Sequence, residues 1–190
     1  MFFILIIMKL AGFGLIYGVL ALIWGSQFYG KIMMGFFTTW CTIIQTFTFF
    51  LCFSGVFSRV RDRLILVSWC LGWTVCFMFW AFVYPLVDRS KLAPAPLFLS
   101  THGGLNLVMS FVFMRYELEI RNKDFYLAII IPAFYSTFVL WPLKASGITI
   151  YPIVFDSFLG SVGVFGAGLF LICAAYKIGC YIRKPKFKLS

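Results

Sequence analysis

The sequence predicts an all-α integral membrane protein, a compact bundle of about six transmembrane helices with both termini cytosolic. Three observations carry that expectation. Of 190 residues, 63% are hydrophobic, 21% aromatic and only 12% charged, and the mean hydropathy is +1.00. That is more apolar surface than a soluble domain of this length can bury. The apolar residues also fall into six runs, each near the length of about 20 residues that a spanning helix needs, and most of the lysines and arginines fall on alternate connections between them.

The first run covers residues 2–24. Met1-Phe2-Phe3-Ile4-Leu5 offers no basic n-region and no distinct cleavage site comes after it, so this run is expected to stay as a signal anchor. Its Gly14 and Gly18 have the GxxxG spacing that lets helices approach closely. The second run, 32–56, carries Thr38, Thr42 and Gln45 at i, i+4 and i+7, one polar stripe among aromatics. The third covers 64–85. The fourth, 95–114, holds the chain's single histidine in Ser100-Thr101-His102-Gly103-Gly104-Leu105-Asn106. The fifth, 125–143, contains Pro132, which frees a backbone carbonyl and predicts a kink. In the sixth, 157–178, Gly160, Gly163, Gly166 and Ala167 give a flat side for helix packing. The connections are short, so consecutive helices should be neighbours in a single domain, 1–182, followed by a basic tail, 183–190.

Orientation comes from the cations. The second connection carries Arg59, Arg61 and Arg63, the fourth carries Arg115, Arg121 and Lys123, and the tail region carries Lys177, Arg183, Lys184, Lys186 and Lys188. Only Lys31, Arg89, Lys91 and Lys144 fall on the odd-numbered connections, which places those on the non-cytosolic side. Lys9 can snorkel to the cytosolic side, and Trp24, Tyr29, Tyr84, Trp141 and Tyr151 sit where interfacial anchors sit on the other. The net charge of +10 is therefore a topology signal or an attraction to anionic headgroups, and no nucleic-acid partner is expected. The membrane is expected to be an endomembrane or the plasma membrane.

The six cysteines, Cys41, Cys52, Cys70, Cys76, Cys173 and Cys180, have no CxxC spacing, and one histidine is too few for a His/Cys metal site. No metal and no cofactor are expected. Cys180, beside the basic tail, is a candidate for palmitoylation.

A histidine beside Thr101 and Asn106 in hydrocarbon costs free energy unless partners satisfy it, so His102 reads either as a functional group or as a polar packing residue between helices. The stripe threonines likewise read as functional or as hydroxyls bonded back to the preceding turn. Depth links the two segments. Thr38 lies about six residues into its run, roughly 9 Å, and His102 about seven residues into its own, on the order of 10 Å, from the same side. A threonine hydroxyl needs a base, and a third group usually orients that base. Thr38 as nucleophile, His102 as base and Asp156 as orienter fit those roles, though Asp156 reads equally well as a helix-opening carboxylate favoured by the dipole. Asn106, Gln45 or backbone amides at a Gly103-Gly104 break could donate to an oxyanion, with Thr42 in the supporting stripe. The substrate of such a site arrives from the membrane and is a lipid ester or amide.

These residues resemble the androgen-induced-gene family of multipass transmembrane threonine hydrolases, over nearly the whole chain. The matching pieces are Phe37-Thr38 seven residues before Gln45, Arg61-Asp62, Phe79-Trp80, Asp88-Arg89, His102-Gly103, and Leu140-Trp141 followed by Gly147 and Ile150-Tyr151-Pro152. Each is short, and their order and spacing together are fairly specific. The resemblance implies a six-helix membrane fold and hydrolysis of fatty acid esters of hydroxy fatty acids, with an intramembrane threonine as nucleophile and a histidine as its partner. Thr38 falls on that nucleophile. The family carries two histidines three residues apart, preceded by an asparagine, and the second is the one assigned to catalysis. Here the first falls on His102, the second on Leu105 and the asparagine on Thr101.

Two functions are open. One is a lipid-ester hydrolase using Thr38 and His102, with membrane lipids and a lipid ester as partners. The other, motivated by Leu105, is a non-catalytic relative that binds lipid or a membrane partner. A channel or transporter is least supported, because the runs lack paired ionisable residues or broken helices.

Overall fold

The computed structural model describes residues 2–85, 97, 99–116, 122–148 and 158–183, and every regular element among them is helical. α1 (Phe2–Tyr29) runs into a 3₁₀ segment (Gly30–Gly35) and then α2 (Phe37–Ser54). α3 (Ser58–Met78) continues through a π-helical turn (Phe79–Val83), and a second π turn (Ser100–Gly104) leads into α4 (Leu105–Arg115). α5 (Asn122–Tyr135) continues through a third π turn (Ser136–Leu140) and a short helix (Trp141–Ala145), and α6 (Phe158–Ile182) completes the bundle. Five helices, Leu5–Gly35, Phe37–Ser54, Ser58–Val83, Asp124–Ala145 and Gly163–Ile182, are long and apolar enough to cross a membrane.

Helix α1 runs five residues beyond the expected end of the first span and α2 starts later than the second run. The cause is Gly30, whose φ of 55° is left-handed and opens the tight 3₁₀ connection. At its other end α2 stops at Gly55, again left-handed at φ 71°, whose N–H bonds to the Leu51 carbonyl. Pro132 does not stop α5. The helix runs on, Ser136 donates to the Pro132 carbonyl at 2.7 Å, and the π turn begins there.

Helix α3 is the centre. Residues 65–72 are buried on every side, the pattern of a helix surrounded by other helices, and it packs on α2, α4, α5 and α6. Its apolar window is 61% buried, against 22% for those of α1 and α6, which show broad apolar surfaces outward. The glycines of α1 meet α2 as their spacing predicts: a Cβ on Gly14 would strike the Phe49 ring, and one on Gly18 would strike Thr46. The sixth segment behaves differently. A Cβ on Gly163 or Gly166 meets nothing within 4 Å among the described residues, because α6 packs through its later half, where Ile172, Ala175 and Tyr176 are buried and Gly179 lies against Trp69 and Phe113.

The helices alternate in direction, so two ends of the bundle differ. At one, Arg61 pairs with Asp62 at 2.9 Å and lies over the Tyr116 ring, Arg63 faces Asp124 at 3.4 Å, and Arg183 lies over Phe113. At the other lie the start of α2, the three π turns and the histidine.

Candidate active site

Thr38 is the second residue of α2. The later threonines of this helix bond back one turn: Thr42 to the Thr38 carbonyl at 2.9 Å, Thr46 to Thr42 at 2.7 Å and Thr48 to Ile44 at 2.7 Å. For Thr38 the carbonyl one turn back is that of Met34, and the Trp40 indole N–H donates to it at 2.9 Å. The Thr38 hydroxyl instead crosses to the neighbouring segment, where its Oγ1 lies 3.1 Å from His102 Nε2. Both residues are half-buried.

His102 sits in the middle of the π turn before α4. Such a turn adds a residue to the helical repeat, rotates the two flanking stretches of helix against each other, and recurs at functional sites. The ring stacks on Phe79 with centroids 3.7 Å apart, and the Trp80 indole donates to the His102 carbonyl at 3.3 Å. Both aromatics come from the π turn that extends α3. On the far side of the ring, Thr101 Oγ1 lies 3.0 Å from Nδ1 and 3.2 Å from the Leu97 carbonyl oxygen. Leu105, three residues on, is 0% exposed and packs into the main core. It is therefore position 102 of this chain that meets Thr38.

The expected supporting residues divide. Thr42 is buried and bonded back to the Thr38 carbonyl, the bland alternative for a helix threonine. Gln45 and Asn106 form their own layer deeper in the bundle. Gln45 Nε2 donates to Asn106 Oδ1 at 2.6 Å and to the Ser68 carbonyl at 3.4 Å, and Asn106 Nδ2 donates to the Gly72 carbonyl at 2.9 Å. These amides pin α2 and α4 to α3, and a Cβ on Gly72 would collide with both. Gly103 and Gly104 belong to a continuous π turn, so no break exposes their amides. Asp156 lies outside the described residues, as do Asp88 and Arg89.

Thr101, Phe79 and Trp80 complete the surroundings of the imidazole, and sequence reasoning gave none of them a part in the chemistry. Their signals were present, since Thr101 adjoins the histidine and Phe79-Trp80 is one of the matching pieces. One turn before Thr38, a largely apolar cavity of about 360 Å³ is lined by Lys31, Ile32, Met34, Gly35, Phe138, Val139, Pro142, Leu143 and Ile148. Its volume falls at the lower end of the range of roughly 300–1,000 Å³ for small-molecule sites. Its lining reaches Gly35, three residues before Thr38, and includes neither Thr38 nor His102. All six thiols are free, and the described residues contain no cluster of three or more His, Cys, Asp or Glu side chains able to hold a metal.

Comparison with protein-family models, with curated proteins and with solved structures found no match to this chain.

Proposed function

We propose that this protein is an intramembrane lipid-ester hydrolase in which Thr38 is the nucleophile and His102 its base. The observation that carries the reading is the 3.1 Å separation between Thr38 Oγ1 and His102 Nε2, a contact between side chains 64 residues apart in sequence. A threonine hydroxyl is a weak nucleophile unless a neighbouring base takes its proton. In the reaction Nε2 takes that proton as Oγ1 attacks the ester carbonyl. The resulting imidazolium returns the proton to the departing alkoxide, leaving an acyl-threonine. Water then attacks the acyl-threonine, with the same imidazole as base, and releases the acid and free Thr38.

In this reading the five apolar helices and α4, with the π turn before it, lie in a membrane with both termini cytosolic. The site then sits beneath the non-cytosolic headgroups, where the half-buried pair would meet a lipid ester arriving from the membrane. The resemblance to transmembrane threonine hydrolases supports the same substrate class. Fatty acid esters of hydroxy fatty acids are the first substrates to try.

The test is turnover of such branched esters by the purified protein in lipid vesicles. Thr38→Ala is expected to lower kcat by about 10²–10⁴-fold or more, with thermal stability retained. Hydrolysis that survives Thr38→Ala contradicts the reading. A second reading, a lipid-binding relative without turnover, is favoured by one observation, an apolar cavity whose lining includes neither Thr38 nor His102. It predicts saturable lipid binding with no ester cleavage by the unaltered protein.

A further inference from the structure

We infer that Thr101 is a positioning residue that fixes the proton of the His102 ring on Nδ1, so that Nε2 presents its lone pair to Thr38. The inference rests on the hydrolase reading for its purpose, and on hydrogen-bond geometry for its content.

A neutral imidazole carries one N–H, and its place is set by the partner of the other nitrogen. Thr101 Oγ1 stands between two groups, His102 Nδ1 at 3.0 Å and the Leu97 carbonyl oxygen at 3.2 Å. A carbonyl oxygen only accepts, so the single hydroxyl proton of Thr101 points at Leu97. What Thr101 turns to the ring is a lone pair. Nδ1 must then be the donor, Nε2 is left bare, and the Thr38 hydroxyl at 3.1 Å donates to it. The three contacts form a directed chain: Thr38 O–H to Nε2, Nδ1–H to Thr101 Oγ1, and Thr101 O–H to Leu97 O.

The reverse chain is worse at each end. A proton on Nε2 would make Thr38 the acceptor and leave the base without a lone pair for the nucleophile. It would also require Thr101 to donate to Nδ1 and abandon Leu97. The Ser100 hydroxyl also donates to Leu97 O, at 2.6 Å, and holds that carbonyl in place at the start of the turn.

Thr101 thus does for the ring what a carboxylate does in a serine triad as far as tautomer and orientation go. It supplies no negative charge. The face of Phe79, 3.7 Å from the ring, offers a favourable surface for the imidazolium formed during attack.

The chain has one histidine, so histidine labelled with ¹⁵N gives one pair of ring signals. In the full-length protein in lipid nanodiscs, the expected spectrum has a protonated Nδ1 and a bare Nε2. Thr101→Val keeps the side-chain shape and removes the acceptor. It is expected to mix or invert the two nitrogen signals and to lower kcat by about 10–100-fold with KM little changed. Thr101→Ser is expected to restore both. A wild-type ring protonated on Nε2, or a Thr101→Val protein with an unchanged spectrum, overturns the inference. Should the wild type hydrolyse no ester while its ring still shows the Thr101-dependent Nδ1–H form, the positioning role stands and the hydrolase reading alone fails.

Discussion

Gln45 and Asn106 are each 2% exposed, and their side-chain amides bond to each other and to backbone carbonyls of α3. Thr38 lies seven residues before Gln45 on α2, and His102 lies four before Asn106, yet this second pair is half-buried and bonded in a different way. The deeper layer is closed: its donors are matched to acceptors that never change protonation state. In the shallower layer a hydroxyl proton faces a nitrogen able to accept it outright. Polar residues on the same two segments of chain, within two turns, thus become a rivet in one place and a proton-transfer pair in the other. Burial and the nature of the acceptor make the difference, more than residue type.

The largest effect expected from breaking that contrast is on rate. Thr38→Ala and His102→Ala should each reduce kcat by about 10²–10⁴-fold or more, and the double variant should lose little beyond either single one, since the two act as a unit. Ester turnover by the three proteins, measured side by side, checks this. Multiplying losses would show that the two side chains act independently.

The deeper layer should answer in stability. Asn106→Leu leaves the Gln45 amide short of a buried partner and is expected to cost about 1–3 kcal/mol, read as a lowered thermal midpoint in detergent. Adding Gln45→Leu should recover part of that loss, because removing both partners is milder than orphaning one. The kcat of the folded fraction should stay close to wild type throughout. A collapse of kcat without loss of stability would move these amides into the chemistry.

A stability loss of similar size is expected from Leu105→His, which puts a histidine where the threonine hydrolases that this chain resembles carry their second one. Leu105 is fully buried among apolar side chains, so the new ring should destabilise the bundle, by about 1–3 kcal/mol, without raising kcat. A rate gain would mean that the π turn can slip by nearly one helical turn and present position 105 to Thr38.

Much of this was legible in the sequence through spacing alone. Run lengths located the helices, GxxxG at Gly14 and Gly18 marked a closely packed face of α1, and counting inward from the segment ends put Thr38 and His102 at one level. What spacing could not supply is rotation about the helix axes. The π turn at Ser100–Gly104 changes the face on which His102 lies, and regular 3.6-residue periodicity contains no sign of it. The same limit explains Gln45 and Asn106, whose polarity was visible but whose preference for each other over an oxyanion depends on how closely α3 approaches at Gly72. It explains the glycines of α6 as well, since a small-residue face shows where a helix could pack without showing which neighbour is there.

The most direct measurement is to find where a covalent probe lands. A fluorophosphonate carrying a long alkyl chain, incubated with the purified protein in vesicles and followed by peptide mass spectrometry, is expected to add its phosphonyl group to Thr38 and to do so far more slowly in His102→Ala. Labelling confined to another residue, or labelling of Thr38 that is indifferent to His102, would contradict the pairing of that hydroxyl with that ring.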